Sequence, residues 1–292
     1  MEDEGTATGG RPTPAVIDAH THVACPDTER FPTRPTGVGS DWWAHGGGAV
    51  EGLVAEMDAA GVIRAVAVQA VGVYGHDCRC AAHAVAAHPD RLALVASVDM
   101  DGSDPAQALH DLVGESGSVR PAGVRCFGVG AKGATWLDDG RGHEVWATAG
   151  DLGLTVVPCV FSPALDAVAG LSAAHPEVRV AVDHCGFPDR EGAAGWAAVH
   201  RLAEVGSVAL KVSSYVLEAA ERDDGDPAPV VDDLARRFGA HRLCWGSDHP
   251  QDQTRSYADK LALAAHAVRR LDGEAVASFF HHTAARLWWG RP

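Results

Sequence analysis

Ala15-Val16-Ile17-Asp18-Ala19-His20-Thr21-His22 is the first apolar run of the chain, and Leu243-Cys244-Trp245-Gly246-Ser247-Asp248 closes an equally apolar run near its far end. In an extended strand residues i and i+2 face the same side, so the spacing predicts that His20 and His22 project into one space while Thr21 points away. Two imidazoles at the end of one strand and a carboxylate at the end of another are the parts of a site that activates water. Taken alone, the pair fits two ordinary strand-end histidines equally well. The residues between the two runs decide.

Short β-branched runs recur at 15–19, 63–70, 92–98, 123–127, 154–160, 178–183, 208–212 and 242–247. Ala-rich amphipathic stretches lie between them, at 52–60, 79–88, 104–113, 143–151, 163–175, 192–205 and 230–238, each long enough for two or more helical turns. Strand alternating with helix calls for parallel strands joined by right-handed crossovers, and eight such units predict an α/β fold of the (β/α)8 TIM-barrel type in a single domain. The 292 residues suit a barrel, whose usual length is about 250. A doubly wound open sheet is the competing fold, but no Gly-x-Gly-x-x-Gly follows the first run. The barrel is expected over 15–292, after a flexible N-terminal arm at 1–14 that is rich in Gly, Thr and Pro and has no apolar period.

Two connections are longer than a regular unit requires. The first, 25–48, carries Pro26, Pro32, Pro35, Trp42, Trp43 and the triplet Gly46-Gly47-Gly48, too rich in Pro and Gly for a helix. Long loops after barrel strands usually cover the active site. The second, 218–226, is acidic and is read as a solvated loop; Glu221-Arg222-Asp223-Asp224-Gly225-Asp226 lacks the terminal bidentate Glu of a calcium loop.

The formal charge is −15, from 39 Asp and Glu against 24 Lys and Arg, a balance that repels nucleic acid and anionic membranes. No apolar run is long enough to span a membrane. The acidic start Met1-Glu2-Asp3-Glu4-Gly5 lacks the basic-then-apolar order of a secretory signal, so cytoplasmic residence is expected. The seven cysteines, Cys25, Cys78, Cys80, Cys126, Cys159, Cys185 and Cys244, are accordingly read as free thiols. Cys78-Arg79-Cys80 lacks the spacing of a structural zinc site. Cys159, Cys185 and Cys244 read as small buried hydrophobes.

Barrel enzymes place their chemistry at the C-terminal ends of the strands. The residues there are His20 and His22, Gln69, Asp99, Arg125, Cys159, His184, Lys211 with Ser213, and Asp248 with His249. His184 ends an apolar run ahead of a Gly/Pro turn. It reads either as the start of a capped helix or, because it reaches the same face as His20, His22 and Asp248, as part of one site.

These residues carry a resemblance. Ile17-Asp18-Ala19-His20-Thr21-His22, Gly123-Val124-Arg125, Asp183-His184-Cys185-Gly186-Phe187-Pro188, Leu210-Lys211-Val212-Ser213 and Trp245-Gly246-Ser247-Asp248-His249-Pro250 together resemble the amidohydrolase superfamily, in the branch called amidohydrolase-2. Ala284-Ala285-Arg286-Leu287 is close to that branch's C-terminal Asn-Ala-x-x-Leu. The branch includes lactonases and neighbours non-oxidative decarboxylases. The resemblance implies His20 and His22 as a first-strand metal pair or polarising groups, Asp248 as the carboxylate that removes a proton from water, and His184 as the group that polarises the scissile carbonyl. It also implies Arg125 as a grip for a substrate carboxylate, a role for which a planar guanidinium is suited. A salt bridge holding the barrel rim is the other reading of Arg125.

Three departures from the family pattern narrow this. The fourth run ends Arg125-Cys126-Phe127 rather than in Lys or Glu, so no two-metal site is expected. The fifth run, Leu154-Thr155-Val156-Val157-Pro158-Cys159-Val160, lacks the His of the metal-dependent decarboxylases. Phe187 stands where the family has an Arg three residues after the sixth-strand His, which argues against a highly charged dicarboxylate substrate. The expectation is therefore at most one divalent metal held by His20, His22, Asp248 and His184, with zinc first and manganese as the alternative, metal-free general base catalysis staying open. The expected activity is opening of a lactone; the alternatives are decarboxylation of an aromatic or muconate-type acid, or a cyclase-like tailoring reaction. Trp42, Trp43, Tyr74, Phe127 and Phe187 are candidates to cover or line the substrate. His249 is expected either to hydrogen-bond Asp248 or to touch substrate. His281-His282 and Leu287-Trp288-Trp289 are expected to pack against the barrel bottom or a partner subunit, and a homodimer is compatible with the family.

Overall fold

Each of the eight apolar runs is a strand: β1 Val16–Thr21, β2 Val62–Val68, β3 Leu92–Ser97, β4 Gly123–Phe127, β5 Thr155–Cys159, β6 Val180–Val182, β7 Val208–Ser213 and β8 Leu243–Gly246. The computed structural model describes residues 15–45, 47–115, 119–130 and 132–290; the arm expected at 1–14 lies outside them. Every strand pairs in parallel with its successor, in the order β1 to β8. The seam between first and last is bridged just beyond β8, where Asp248 N–H donates to His20 O at 2.8 Å and His22 N–H donates to His249 O at 2.7 Å. The fold is a (β/α)8 TIM barrel.

Helices flank the strands, and their ends follow from local chemistry. Ser256 caps the helix Tyr257–Ala267 by accepting from Asp259 N–H, satisfying one of the orphan donors of a first turn. Gly61, at φ 72°, ends the helix Val50–Ala60 in the left-handed conformation that glycine adopts without strain. The acidic stretch 218–226, expected to be a loop, falls largely in a helix, Ser214–Asp224. Its Val216, Leu217, Ala219 and Ala220 are buried, so the stretch is the solvated last turns of an amphipathic helix that ends at Gly225 with φ 75°. Among the described residues no helix is long and apolar enough to cross a membrane.

Two apolar layers hold the barrel. The larger lies between strands and helices; the smaller packs Ile17, Ala19, Val66, Val95, Val157, Ala181 and Ala209 with Leu287 and Trp288 of the C-terminal helix Thr283–Trp288. That helix tethers to β5 through Thr155, whose hydroxyl donates to Leu287 O at 2.6 Å. The expected packing of Leu287-Trp288 on the barrel is thus realised within the chain.

β1 is not a regular strand. Its pairing with β2 shifts register between Asp18 and Thr21, and Asp18 Oδ1 accepts from both His20 N–H at 3.0 Å and Ser247 N–H at 2.8 Å. Ile17 and Ala19 belong to the inner layer, so strict alternation would have turned His20 outward. The irregularity changes the phase and brings His20 and His22 to the same site.

Candidate active site

His20, His22 and Asp248 form a small triangle at the C-terminal mouth of the barrel. His20 Nε2 lies 3.3 Å from His22 Nε2 and 3.6 Å from Asp248 Oδ1, and His22 Nε2 lies 3.5 Å from the same carboxylate oxygen. His184 stands beside them, with donor atoms of His20, His184 and Asp248 all within 4.8 Å of one another. Gly246 makes this approach available, because a Cβ there would sit 2.7 Å from the Cβ of His20.

The turns that present His184 and Asp248 are unusual. Among the described residues the non-glycine residues with left-handed backbone are His184, Cys185, Phe187 and Asp248, at φ 52°, 51°, 53° and 55°. Such conformations cost non-glycine residues on the order of 1–3 kcal/mol and concentrate at functional sites. Here they occur only in the two turns that carry the site.

Hydrogen bonds fix the tautomers. A carbonyl can only accept, so the 2.9 Å contact of His22 Nδ1 with Val68 O puts the proton on Nδ1 and leaves a lone pair on Nε2. Asp183 Oδ1, 3.1 Å from His20 Nδ1, does the same for His20. Asp248 Oδ1 is buried without a hydrogen-bond partner. Three lone pairs therefore meet in one triangle, an arrangement that repels unless a cation or proton lies among them. Donors at about 2.0–2.1 Å from a tetrahedral zinc stand roughly 3.3 Å apart. The triangle has that size, so these residues fit one divalent ion, with His184 next to it.

Electrostatics agree with this proton inventory. Burial pushes His20 and His184 well towards the neutral imidazole, outweighing the attraction of nearby carboxylates. Burial opposes the ionisation of Asp248, but His184, His22 and His20 outweigh it and hold the carboxyl below the usual range. Beneath the triangle, Asp183 is ionised despite complete burial because Lys211, His20 and Arg125 surround it. Lys211 Nζ lies 3.0 Å from its Oδ1, and Arg125 Nε donates to its Oδ2 at 2.8 Å. Asp18 behaves oppositely, burial raising its carboxyl to about 6.

A cavity of about 260 Å3 opens over these groups, lined by His22, Arg125, His184 and Asp248 at its polar end. Trp42, Phe127, Phe161, Phe187 and Tyr215 supply its aromatic walls. Its size falls just below the usual ligand pocket of about 300–1,000 Å3. Trp42 stacks on His22, with ring centroids 6.3 Å apart and planes inclined by 16°, and its Nε1–H donates to Gln251 Oε1 at 3.0 Å. The long first loop is thereby laid over the site.

Not every candidate reaches the cavity. Tyr74 is buried, and its hydroxyl accepts from Cys25 N–H at 3.0 Å; Trp43 packs partly buried against the outer core. His249 is held neutral by burial and Lys260, which lower it to about 4, and its Nε2 contacts Glu56 Oε2 at 2.8 Å rather than Asp248. None of these three lines the cavity. The reading of seven free thiols is corrected: Cys25 and Cys80 form a disulfide, their Cα atoms 5.8 Å apart, leaving five free. The first loop folds back on the helix Arg79–Ala87 and brings together two cysteines that are 55 residues apart in sequence. Sequence reasoning gave no role to Asp183, Lys211, Ser213, Arg190 or Tyr215. Asp183 and Lys211 were detectable in principle, being charged residues inside otherwise apolar strand runs.

The Amidohydrolase family model matches residues 17–289. The chain belongs to the amidohydrolase family. It is an enzyme of that family, in the amidohydrolase-2 group that the strand-end residues resemble. Solved structures share its barrel over nearly the whole length. An amidohydrolase from Burkholderia multivorans with bound zinc aligns at TM-score 0.75 and 22% identity, over 95% of this chain and 100% of that one. A probable 2-pyrone-4,6-dicarboxylic acid hydrolase from Acinetobacter baumannii with citric acid bound aligns at TM-score 0.69 and 18% identity, over 94% and 99%. A 2,6-dihydroxybenzoate decarboxylase aligns at TM-score 0.65 and 12% identity, over 94% and 99%. At these identities the likeness is one of fold. No curated protein sequence matches the chain.

Proposed function

We propose that this amidohydrolase opens a small, largely apolar lactone by hydrolysis. The observation that carries the reading is the triangle of His20 Nε2, His22 Nε2 and Asp248 Oδ1 at the foot of an aromatic-walled cavity, with His184 alongside. A divalent ion held by these three, zinc or alternatively manganese, would supply a bound water of pKa near about 7. Asp248, ionised at neutral pH, accepts the proton of the attacking water. Ser213, whose hydroxyl lies 2.8 Å from His184 Nδ1, donates to that nitrogen and keeps the ring proton on Nε2. His184 Nε2–H then polarises the lactone carbonyl and stabilises the tetrahedral oxyanion. As the ring C–O bond breaks, the proton held by Asp248 passes to the leaving alkoxide. The product is a hydroxy acid, which releases one proton at neutral pH. Burial pushes the Cys159 thiol up to about 12, which disfavours the thiolate that nucleophilic attack would need.

Decarboxylation of an aromatic acid is the second reading. The rings of Phe127, Phe161 and Phe187 favour it in one respect, because an apolar surround destabilises a carboxylate relative to neutral carbon dioxide. A panel of lactones and aromatic acids separates the two. Hydrolysis releases acid to a pH indicator without gas; carbon dioxide from an aromatic acid, with no lactone turned over, overturns the lactonase reading.

A further inference from the structure

Two guanidinium groups line the cavity, those of Arg125 and Arg190, and they differ in what each has left to bind. Arg125 is buried, and each of its three nitrogens has a partner. Nε donates to Asp183 Oδ2 at 2.8 Å, Nη2 to Cys159 Sγ at 3.3 Å and Nη1 to Gln69 O at 3.4 Å. Asp183 is shared with Lys211 and offsets the charge of Arg125 only in part, but it holds the buried guanidinium in place.

Arg190 lies in the turn Pro188–Glu191, just beyond the turn that carries His184, and is exposed. Its guanidinium sits 4.7 Å from the centroid of the Phe161 ring. The neighbouring Asp189 is committed elsewhere, accepting from the Tyr215 hydroxyl at 2.9 Å and facing Arg222 at 3.9 Å. Among the described residues no carboxylate lies within 4.0 Å of Arg190, although acids outnumber Lys and Arg by 39 to 24. Rings connect Arg190 to the reacting end: Phe161 and Phe187 are 5.4 Å apart between centroids, and Phe187 and His184 are 4.7 Å apart. One end of this aromatic wall thus offers a planar cation whose polar partner is the Tyr215 hydroxyl rather than a carboxylate, and the other holds the anionic Asp248.

We infer that Arg190 selects the substrate, binding a single carboxylate that the apolar ring body holds away from the scissile ester. The inference rests on the lactonase reading for its substrate. A carboxylate beside Asp248 would meet like charge, whereas beside Arg190 it meets two parallel donors. With the guanidinium of Arg125 held by Asp183, Cys159 and Gln69, Arg190 is the cavity-lining cation among the described residues that has no carboxylate partner, and it provides for one carboxylate.

The test compares dihydrocoumarin-6-carboxylate with the neutral dihydrocoumarin-6-carboxamide. Wild type is expected to favour the acid in kcat/KM by tenfold or more. Arg190→Gln should erase that preference through KM, with kcat on the acid changed less than threefold. Arg201→Gln, on the outer face of the helix Gly192–Leu202 and paired with Asp166, serves as the control and should keep the preference. Equal preference in wild type, or a preference that survives Arg190→Gln, overturns the inference. Binding of chroman-6-carboxylate, which keeps the distal carboxylate and has no scissile carbonyl, is followed by tryptophan fluorescence and gives a second readout that needs no turnover. Tenfold weaker binding to Arg190→Gln than to wild type supports the anion site even where no lactone is hydrolysed, and in that case only the lactonase reading falls. Equal binding by both proteins overturns the site itself.

Discussion

His20 Nδ1 lies 3.1 Å from Asp183 Oδ1, and the same buried carboxylate holds Lys211 Nζ at 3.0 Å and Arg125 Nε at 2.8 Å. One anion therefore sets the tautomer of His20 and is the shared counter-charge of two cations inside the barrel. Asp183→Asn leaves those cations without a counter-charge, and breaking a buried pair in this way costs about 3–5 kcal/mol. Urea unfolding should register that loss. In the folded fraction, an amide that donates to Nδ1 would turn the His20 proton towards Asp248, and activity should fall by about 10–100-fold. Wild-type stability together with wild-type turnover would remove Asp183 from this role.

Asp248→Asn tests the proton acceptor with little disturbance of its turn. Asn is among the few residues that adopt the left-handed conformation readily, so the φ of 55° at this position stays accessible. The variant should keep its melting temperature and lose about 10²–10⁴-fold in kcat, the usual worth of a general base. Lactone turnover within threefold of wild type would show that another group takes the proton.

The barrel was legible because its signals are local and repeated: eight apolar runs, with seven amphipathic stretches between them, fell on the eight strands. His20, His22, His184 and Asp248 were legible as positions for the same reason, since strand ends of a barrel share one mouth. What escaped depends on contacts distant in sequence. The phase change in β1 occurs where Asp18 bonds to Ser247 across the seam, a contact that no periodicity within residues 15–22 can show. The acidic run 218–226 looked like a loop because its buried face begins earlier, at Val216 and Leu217. Arg190 escaped because nothing in its neighbourhood in the sequence reveals that Asp189 turns to Tyr215 instead.

The Cys25–Cys80 pair ties the loop that carries Trp42 to the helix Arg79–Ala87. Closing a loop of that separation restricts the unfolded chain by about 4 kcal/mol in the chain-entropy model. Cys25→Ser, compared with wild type kept oxidised, should lower the unfolding free energy by about 2–4 kcal/mol. The same variant in reducing buffer should match reduced wild type. A difference between those two reduced proteins as large as that between the oxidised ones would assign the effect to packing of the side chain rather than to the cross-link.

The buried histidines also make stability depend on pH, with a sign that can be worked out for protein stripped of metal by a chelator. His20, His184 and His249 are all lowered in the folded state, His249 to about 4, whereas an unfolded histidine takes its proton near about 6.5. Between those values the unfolded chain binds more protons, so stability is complete above about pH 6.5 and falls as the solution is acidified. Asp18 has the opposite sign: raised to about 6 from 3.8, it binds its proton more tightly when folded and returns part of the loss below pH 6. Three groups outweigh one, and the unfolding free energy should drop by at least about 2 kcal/mol from pH 7 to pH 5. His249→Gln should make that drop shallower, and Asp18→Asn should make it steeper by removing the compensating group. A stability that is flat over this range in wild type would mean that the histidines are protonated in the fold, which would contradict the lone-pair triangle at the centre of the site.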